Sequence, residues 1–451
     1  MTPEQARDPN YFPGLATAIP LGIQHVLAMF VSNITPAIIV AGAAGFGYGS
    51  PDPSELIYMI QMSMLFAGLA TLLQTFGPSL PLFGPLGAKL PLVQGTSFAY
   101  ISIMVPIVAG RGVPAMAALM TGALACGLVH TILSRYVGRI RFALPPLVTG
   151  LVVLMIGLSL MRIAVQYAAG GPTTIGTPAY GAPQSWLLAL TVVIATMALK
   201  FFGKGIWSTA SVLIGLAIGY LLAAALGRIS LAPIAAAGWF MMPQPFHFGL
   251  SITSSALIGF ILIGFVSSIE TIGDVEAICE GTARRPATDT ELVGAVGADG
   301  VGTALAAVFG AMPNTTFSQN VGLIAITGVM SRHTVSLGAA LLVLSGLIPK
   351  VGAAITTIPI EVLGGGVIVM FGMVASSALT MLSRVDWSQR AMLIFGLALS
   401  LALGLQLEPA SLAYLPETLR ILLTSGVLPA ALIALVLNLV LPKQEASGGP
   451  N

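Results

Sequence analysis

Residues 309–332 read FGAMPNTTFSQNVGLIAITGVMSR. Inside a long apolar run, Pro313 opens a stretch of β-branched, small and polar residues, PNTTFSQ, whose composition suits extended backbone better than a spanning helix. The stretch is expected to be short and extended, with a half-helix beginning near Ser318. Residues 92–100, LVQGTSFAY, have the same character and predict the same event, with a half-helix from near Ala99. Unwound backbone at membrane depth is tolerated only where protein or a water-filled site satisfies its N–H and C=O groups. Two half-helix N-termini would then face each other, and their free N–H groups and positive dipole ends suit a carbonyl-rich ligand.

What surrounds these breaks is compatible with lipid almost throughout. Of 451 residues, 56% are hydrophobic and 8% charged, and mean hydropathy is +0.96, which leaves no room for a soluble domain. Apolar stretches long enough to cross the hydrocarbon core recur along the chain. They predict an all-α integral membrane protein of about fourteen spans: 15–42, 56–77, 91–109, 113–134, 144–166, 186–203, 206–227, 253–279, 291–309, 313–331, 334–349, 354–381, 389–405 and 420–441.

Basic residues are retained on the cytoplasmic side, so the loops test this count. With the N-terminus inside, Arg7, Lys89, Arg135, Arg139, Arg141, Lys200, Lys204, Arg284, Arg285, Arg332, Arg384, Arg390 and Lys443 are cytoplasmic, thirteen of the 18. Arg111, Arg162, Arg228, Lys350 and Arg420 are outside. That sorting supports fourteen spans with both termini in the cytoplasm. Residues 1–13 are polar and acidic rather than basic, so no cleaved signal peptide is expected. The basic residues never cluster with aromatics, which excludes a nucleic-acid surface. Two cysteines, Cys126 and Cys279, build neither a disulfide scaffold nor a cysteine-rich metal site. No metal ligand set, cofactor or catalytic constellation is expected.

A faint internal repeat accompanies the two breaks. TGLVVLMIG at 149–157 matches GGGVIVMFG at 364–372, an offset of 215 residues, and Thr96-Ser97-Phe98 matches Thr315-Thr316-Phe317 at an offset of 219. Halves of seven spans each enter the bilayer in opposite senses, which predicts an inverted repeat suited to alternating access.

Ionisable side chains inside spans are the informative ones, because each costs about 2.5 kcal/mol or more at the bilayer centre unless function or pairing retains it. Glu270 and Asp274, one turn apart on the eighth span, share a helix face. Asp299 interrupts the small-residue ninth span, Gln24-His25 sits in the first, and Gln319-Asn320 marks the break in the tenth. A planar heterocycle with N–H and C=O groups fits such a set. Glu270 can accept two N–H bonds from one edge, Gln319 offers a donor and an acceptor, and Phe98 can stack on the ring. Burial disfavours charge, so Glu270, with Asp274 or Asp299 as relay, is the natural proton carrier. Bland alternatives stand beside these roles: snorkelling toward the cytoplasmic interface for Glu270 and Asp274, packing for His25, helix capping for Gln319 and Asn320, local backbone bonding for Thr96 and Ser97, an ion pair or backbone bond for Asp299. Glu276 and Glu280 are expected in interfacial water.

Gln319-Asn320-Val321-Gly322 followed by Thr327-Gly328 resembles the signature of the nucleobase-ascorbate transporter (xanthine/uracil permease) family. Gln24-His25, QGTSF and ETIGD are similar to the corresponding family segments, so the likeness covers essentially the whole chain. It implies two inverted seven-span repeats forming a core domain (1–143 and 251–350) and a gate domain (144–250 and 351–451), and a homodimer joined through the gates. It further implies that Glu270 and Gln319 hold a purine, that Phe98 contacts its ring, that backbone near Ser318 bonds a carbonyl, and that Asn320, His25, Asp274 and Asp299 tune affinity, coupling or stability. Uracil carriers of the family tend to have Glu at the position of Gln319 and His at that of Asp274, so the purine branch is the better likeness. Ser97, where some xanthine-selective members have Asn, and Gly328, where a basic residue is frequent, depart from it.

The expected function is therefore proton-coupled symport of xanthine or uric acid across a bacterial inner membrane. Uracil permease and sodium-coupled ascorbate carrier remain alternatives. An intramembrane enzyme lacks its signatures, with no HExxH and no GxSxG. An anion exchanger would call for a basic residue at the half-helix site, and none lies between Gln94 and Tyr100 or between Pro313 and Thr327.

Overall fold

The computed structural model describes residues 2–48, 50, 52–80, 84–137 and 145–442. Arg139, Arg141, Lys443 and Leu144, used in the orientation and span assignments, lie outside the described residues. In chain order the principal elements are α1 (Leu15–Ala44), α2 (Ser54–Phe76), β1 (Gln94–Thr96), α3 (Ile101–Val108), α4 (Met116–Leu133), α5 (Pro146–Ala168), α6 (Pro183–Phe202) and α7 (Ser211–Ala225). They continue with α8 (Ser254–Ile278), α9 (Asp289–Val308), β2 (Asn314–Thr316), α10 (Ser318–Thr327), α11 (Arg332–Gly346), α12 (Ile360–Leu382), α13 (Gln389–Leu407) and α14 (Val427–Val440). Among the described residues nine helices are long and apolar enough to cross a membrane, and up to eleven if each of two sharply bent helix pairs is one span.

The helix ends are written locally. Thr253 caps α8 by accepting from the Ala256 N–H. Thr288 and Glu291 form a capping box at α9, with Glu291 also paired to Arg285. α1 stops at Gly45, whose φ of +98° is left-handed and whose N–H returns to Ala41 and Gly42 carbonyls. Between helices, small residues set the spacing, as expected where lipid supplies no hydrophobic drive between spans. α4 packs on α8 and α9, α11 packs on α1 and α2, and α12 lies along α5. A Cβ on Gly300 would come within 2.5 Å of the Thr131 nitrogen of α4, so α4 and α9 touch at backbone distance.

Both breaks form short strands and pair with each other: Gln94 with Thr316, Gly95 with Thr315 and Thr96 with Asn314, antiparallel. α3 and α10 therefore leave opposite ends of one tiny ribbon. Neighbouring side chains satisfy its outer edges. Thr71 of α2 accepts from the Gln94 N–H at 2.9 Å, and Asn33 of α1 accepts from the Thr96 N–H at 2.9 Å. On the other strand Thr303 of α9 accepts from the Asn314 N–H at 3.1 Å and donates to its carbonyl at 3.2 Å. This is the condition under which unwound backbone survives in a bilayer.

Several expected spans are interrupted. Span 334–349 ends at Gly346, and Pro349 starts a separate short helix, Pro349–Thr356, bent 82° away. That helix takes the first residues of predicted span 354–381, so α12 begins only at Ile360, after Pro359. Span 420–441 is Glu417–Thr424 and α14, bent by 80° around Gly426 at φ +75°. Span 206–227 divides at Ala210 into Ile206–Thr209 and α7. Uniform apolarity conceals such bends, because each turns on a single Pro, Gly or backbone angle. At the first break the helix starts at Ile101, two residues beyond the expected Ala99.

Candidate functional site

α8, β2 and the first turn of α10 converge beside the start of α3 on a narrow cavity of about 20 Å³. Glu270 comes from α8, Thr315 from β2, Phe317, Ser318 and Gln319 from the β2–α10 junction, and Phe98 from the β1–α3 junction. The opposite wall is α5 and α12, which present Val153, Ile156, Val374 and Ser377. Phe98 is buried and held edge-on against Phe371 of α12, ring centroids 5.3 Å apart. Neither the Glu270 carboxylate nor the Gln319 carboxamide has a hydrogen-bond partner among the described residues. Phe317, the residue before α10, makes no side-chain cap, so the first-turn N–H groups of Ser318 and Gln319 are available at the cavity.

A wider vestibule of about 370 Å³ adjoins this cavity and shares Ser318 and Ser377 with it. Asp274, Glu276, Thr149, Thr380 and Arg384 stand on its walls. Asp274 accepts from Thr316 Oγ1 at 2.6 Å and Ser318 Oγ at 2.7 Å, which ties α8 to the end of β2. Arg384 lies 4.0 Å from Glu280, at the exposed ends of α12 and α8.

The remaining expected residues are elsewhere. Asp299 is fully buried and accepts from Gln94, Thr271 and Gln74, the last at 3.3 Å, so it anchors β1 and does not line the cavity. His25 and Asn320 meet each other: Asn320 Nδ2 donates to the His25 carbonyl at 2.9 Å and lies 3.1 Å from its Nδ1, joining α1 to α10 behind the cavity wall. Thr96 donates to the Asn33 carbonyl, and the Ser97 N–H donates to the Pro313 carbonyl at 2.8 Å. All five are buried scaffold, off the cavity surface. For Thr96 the local-backbone alternative describes its bonds, and for His25 the packing alternative does.

Sequence reading passed over the far wall and Asn33. The 149–157 and 364–372 repeat did point to α5 and α12, but an apolar match reads as packing until a cavity is seen beside it. Asn33 offered only its polarity within an apolar span.

A family profile for xanthine/uracil permeases, described as "Permease family", matches residues 16–411. The chain belongs to the nucleobase-ascorbate transporter family. The uric acid permease PucJ of Bacillus subtilis is 35% identical over 423 residues, 93% of this chain and 91% of that protein. The xanthine permease XanP of Escherichia coli (strain K12) is 34% identical over 444 residues, 96% of this chain and 94% of that protein. Among solved structures, the transmembrane domain of a cyanobacterium bicarbonate transporter, BicA, aligns with a TM-score of 0.56 and 15% identity over 95% of this chain and 98% of that one, a likeness of fold alone. As a member of the nucleobase-ascorbate transporter family, this chain is a multi-pass integral membrane permease and not an enzyme.

Proposed function

We propose that the chain is a secondary active transporter that carries a purine base, xanthine or uric acid, together with a proton. The observation that carries the reading is the shared cavity in which an unpartnered carboxylate, Glu270, and an unpartnered carboxamide, Gln319, stand with the N-terminus of α10 and the ring of Phe98. Glu270 accepts two N–H bonds from one edge of the base, Gln319 and the α10 N–H groups serve its carbonyls, and Phe98 stacks on its face. Ser318 binds through its backbone while its hydroxyl keeps Asp274 in place. Thr96, Ser97, His25 and Asn320 support binding through the scaffold. A proton on Glu270 neutralises a costly charge when the site closes, with Asp274 and Asp299 as coupling partners.

Fourteen spans follow if α7 and the two ribbon-plus-half-helix units cross as well, in two inverted repeats. Two features support that symmetry. Applying the 219-residue offset to the pair Gly95–Thr315 yields Asn314–Thr96, itself a ladder pair. The packing of α4 on α8 and α9 is also repeated by α11 on α1 and α2. The core (1–143 and 251–350) then moves against the gate (144–250 and 351–451), both termini are cytoplasmic in a bacterial inner membrane, and gates pair in a homodimer. The vestibule opens toward Glu280 and Arg384, the cytoplasmic side in this orientation, so access alternates across the cavity.

The purine names of the relatives favour xanthine and urate over uracil or ascorbate. With no basic side chain lining the cavity among the described residues, the site lacks the cation that a small inorganic anion such as bicarbonate would call for, whereas its carboxylate suits a ligand with N–H donors. The test is uptake of labelled xanthine, urate and uracil by proteoliposomes with and without an inward proton gradient. Purine uptake driven by the gradient and abolished in Glu270→Gln is expected. Gradient-independent purine uptake, or uptake unchanged in the variant, would reject the coupling and the role of Glu270 respectively.

A further inference from the structure

The cavity has two chemically unequal walls. The wall built by α8, β2 and α10 carries the carboxylate, the carboxamide and free backbone donors, whereas the wall from α5 and α12 is Val153, Ile156, Val374 and one polar side chain, Ser377. Val374 and Ser377, three residues apart, share a face of α12. Ser377 also lines the vestibule, so a ligand entering from that side passes it before reaching Glu270.

The state of this hydroxyl restricts what it can recognise. Ser377 Oγ donates its proton back along its own helix, to the Met373 carbonyl at 3.1 Å. With its proton on the Met373 carbonyl, the hydroxyl turns its lone pairs to a ligand as an acceptor. A base whose one edge lies on Glu270 and Gln319 directs its opposite edge at α12. In a pyrimidine that edge is carbon-bound hydrogen; in xanthine or urate it belongs to the imidazole ring and carries N–H.

We propose that Ser377 is a specificity-determining residue that selects purines over pyrimidines by accepting an imidazole-ring N–H from the wall opposite Glu270. This rests on the purine reading above and assigns the recognition of the second ring to α12. The apolar neighbours Val153, Ile156 and Val374 sharpen the choice, because any other polar group turned to this wall is left without a partner.

The experiment measures inhibition constants of xanthine, 7-methylxanthine and 9-methylxanthine for proteoliposomes of the wild type, Ser377→Ala and Ser377→Thr, at matched protein incorporation. Ser377→Ala should weaken xanthine by about three- to tenfold, the range of one neutral hydrogen bond. It should leave both methylated analogues unchanged, because xanthine's imidazole ring carries one N–H and methylation at either nitrogen removes it, so that the two losses do not add. Ser377→Thr, which keeps the hydroxyl, should restore xanthine affinity. Equal weakening of all three ligands, or no change for any, overturns the assignment to Ser377 while leaving purine transport standing. A wild type that takes up no purine overturns the purine reading, and this inference with it.

Discussion

The two breaks resemble one another in sequence and pair as strands, yet they serve different ends. Around β1 most polar groups are committed to protein: Gln94 to Asp299 and Thr71, Thr96 to Asn33, the Ser97 backbone to Pro313, with Gln94 Oε1 and Ser97 Oγ left without a partner among the described residues. Around the end of β2 they are left open, with Gln319 unpartnered and the α10 N-terminus uncapped. The same contrast separates two acidic residues of neighbouring helices. Asp299 collects donors from three side chains, whereas Glu270 collects none. For these two carboxylates, satisfaction by protein partners distinguishes the fastener, Asp299, from the open group at the cavity, Glu270.

The strongest way to break this comparison is at the two carboxylates. Glu270→Gln should reduce purine uptake by at least about a hundredfold, since hydrogen bonds to a charged group contribute roughly 1.5–3 kcal/mol each, while the melting temperature of purified protein stays within a degree or two. Asp299→Ala should do the reverse in kind. It strands the Gln94 carboxamide in the interior, while Gln74 keeps the Ala295 carbonyl and Thr271 keeps the Thr315 and Thr316 hydroxyls, at about 1–3 kcal/mol for the unsatisfied group, so melting should fall by several degrees before uptake is considered. A melting temperature unmoved by Asp299→Ala would mean that β1 does not depend on it. Asn320→Ala should behave like a weaker Asp299 variant, losing about 1–2 kcal/mol with the α1–α10 tie, read by denaturation at fixed lipid content. The smallest effect is expected at Phe98→Leu, a few-fold rise in KM as stacking worth about 0.5–1.5 kcal/mol is lost, with transport otherwise preserved.

Much of the candidate site was legible because membrane burial makes polar residues conspicuous. Glu270, Gln319, Ser318 and Phe98 stood out by type and by position at the breaks, and the structure brings them to one cavity. His25, Asn320, Thr96, Ser97 and Asp299 stood out for the same reason, since the cost of burial is the same whether a ligand or a protein group offsets it. Their separation from the cavity depends on which donor faces which acceptor across helices far apart in sequence. Ser377 went unread because a serine in an apolar helix usually bonds its own i−4 carbonyl, as this one does.

From the sequence alone came the membrane class, the positions of the two breaks and the short roster of polar residues, because each follows from local composition and from the energetic penalty of polar groups in lipid. The bends at Gly346–Pro349 and Gly426, the pairing register of β1 with β2, and the division of the polar roster into fasteners and open groups belong to the tertiary structure. These depend on distances between segments more than 200 residues apart, as between Gln94 and Asp299, and no local pattern encodes such distances.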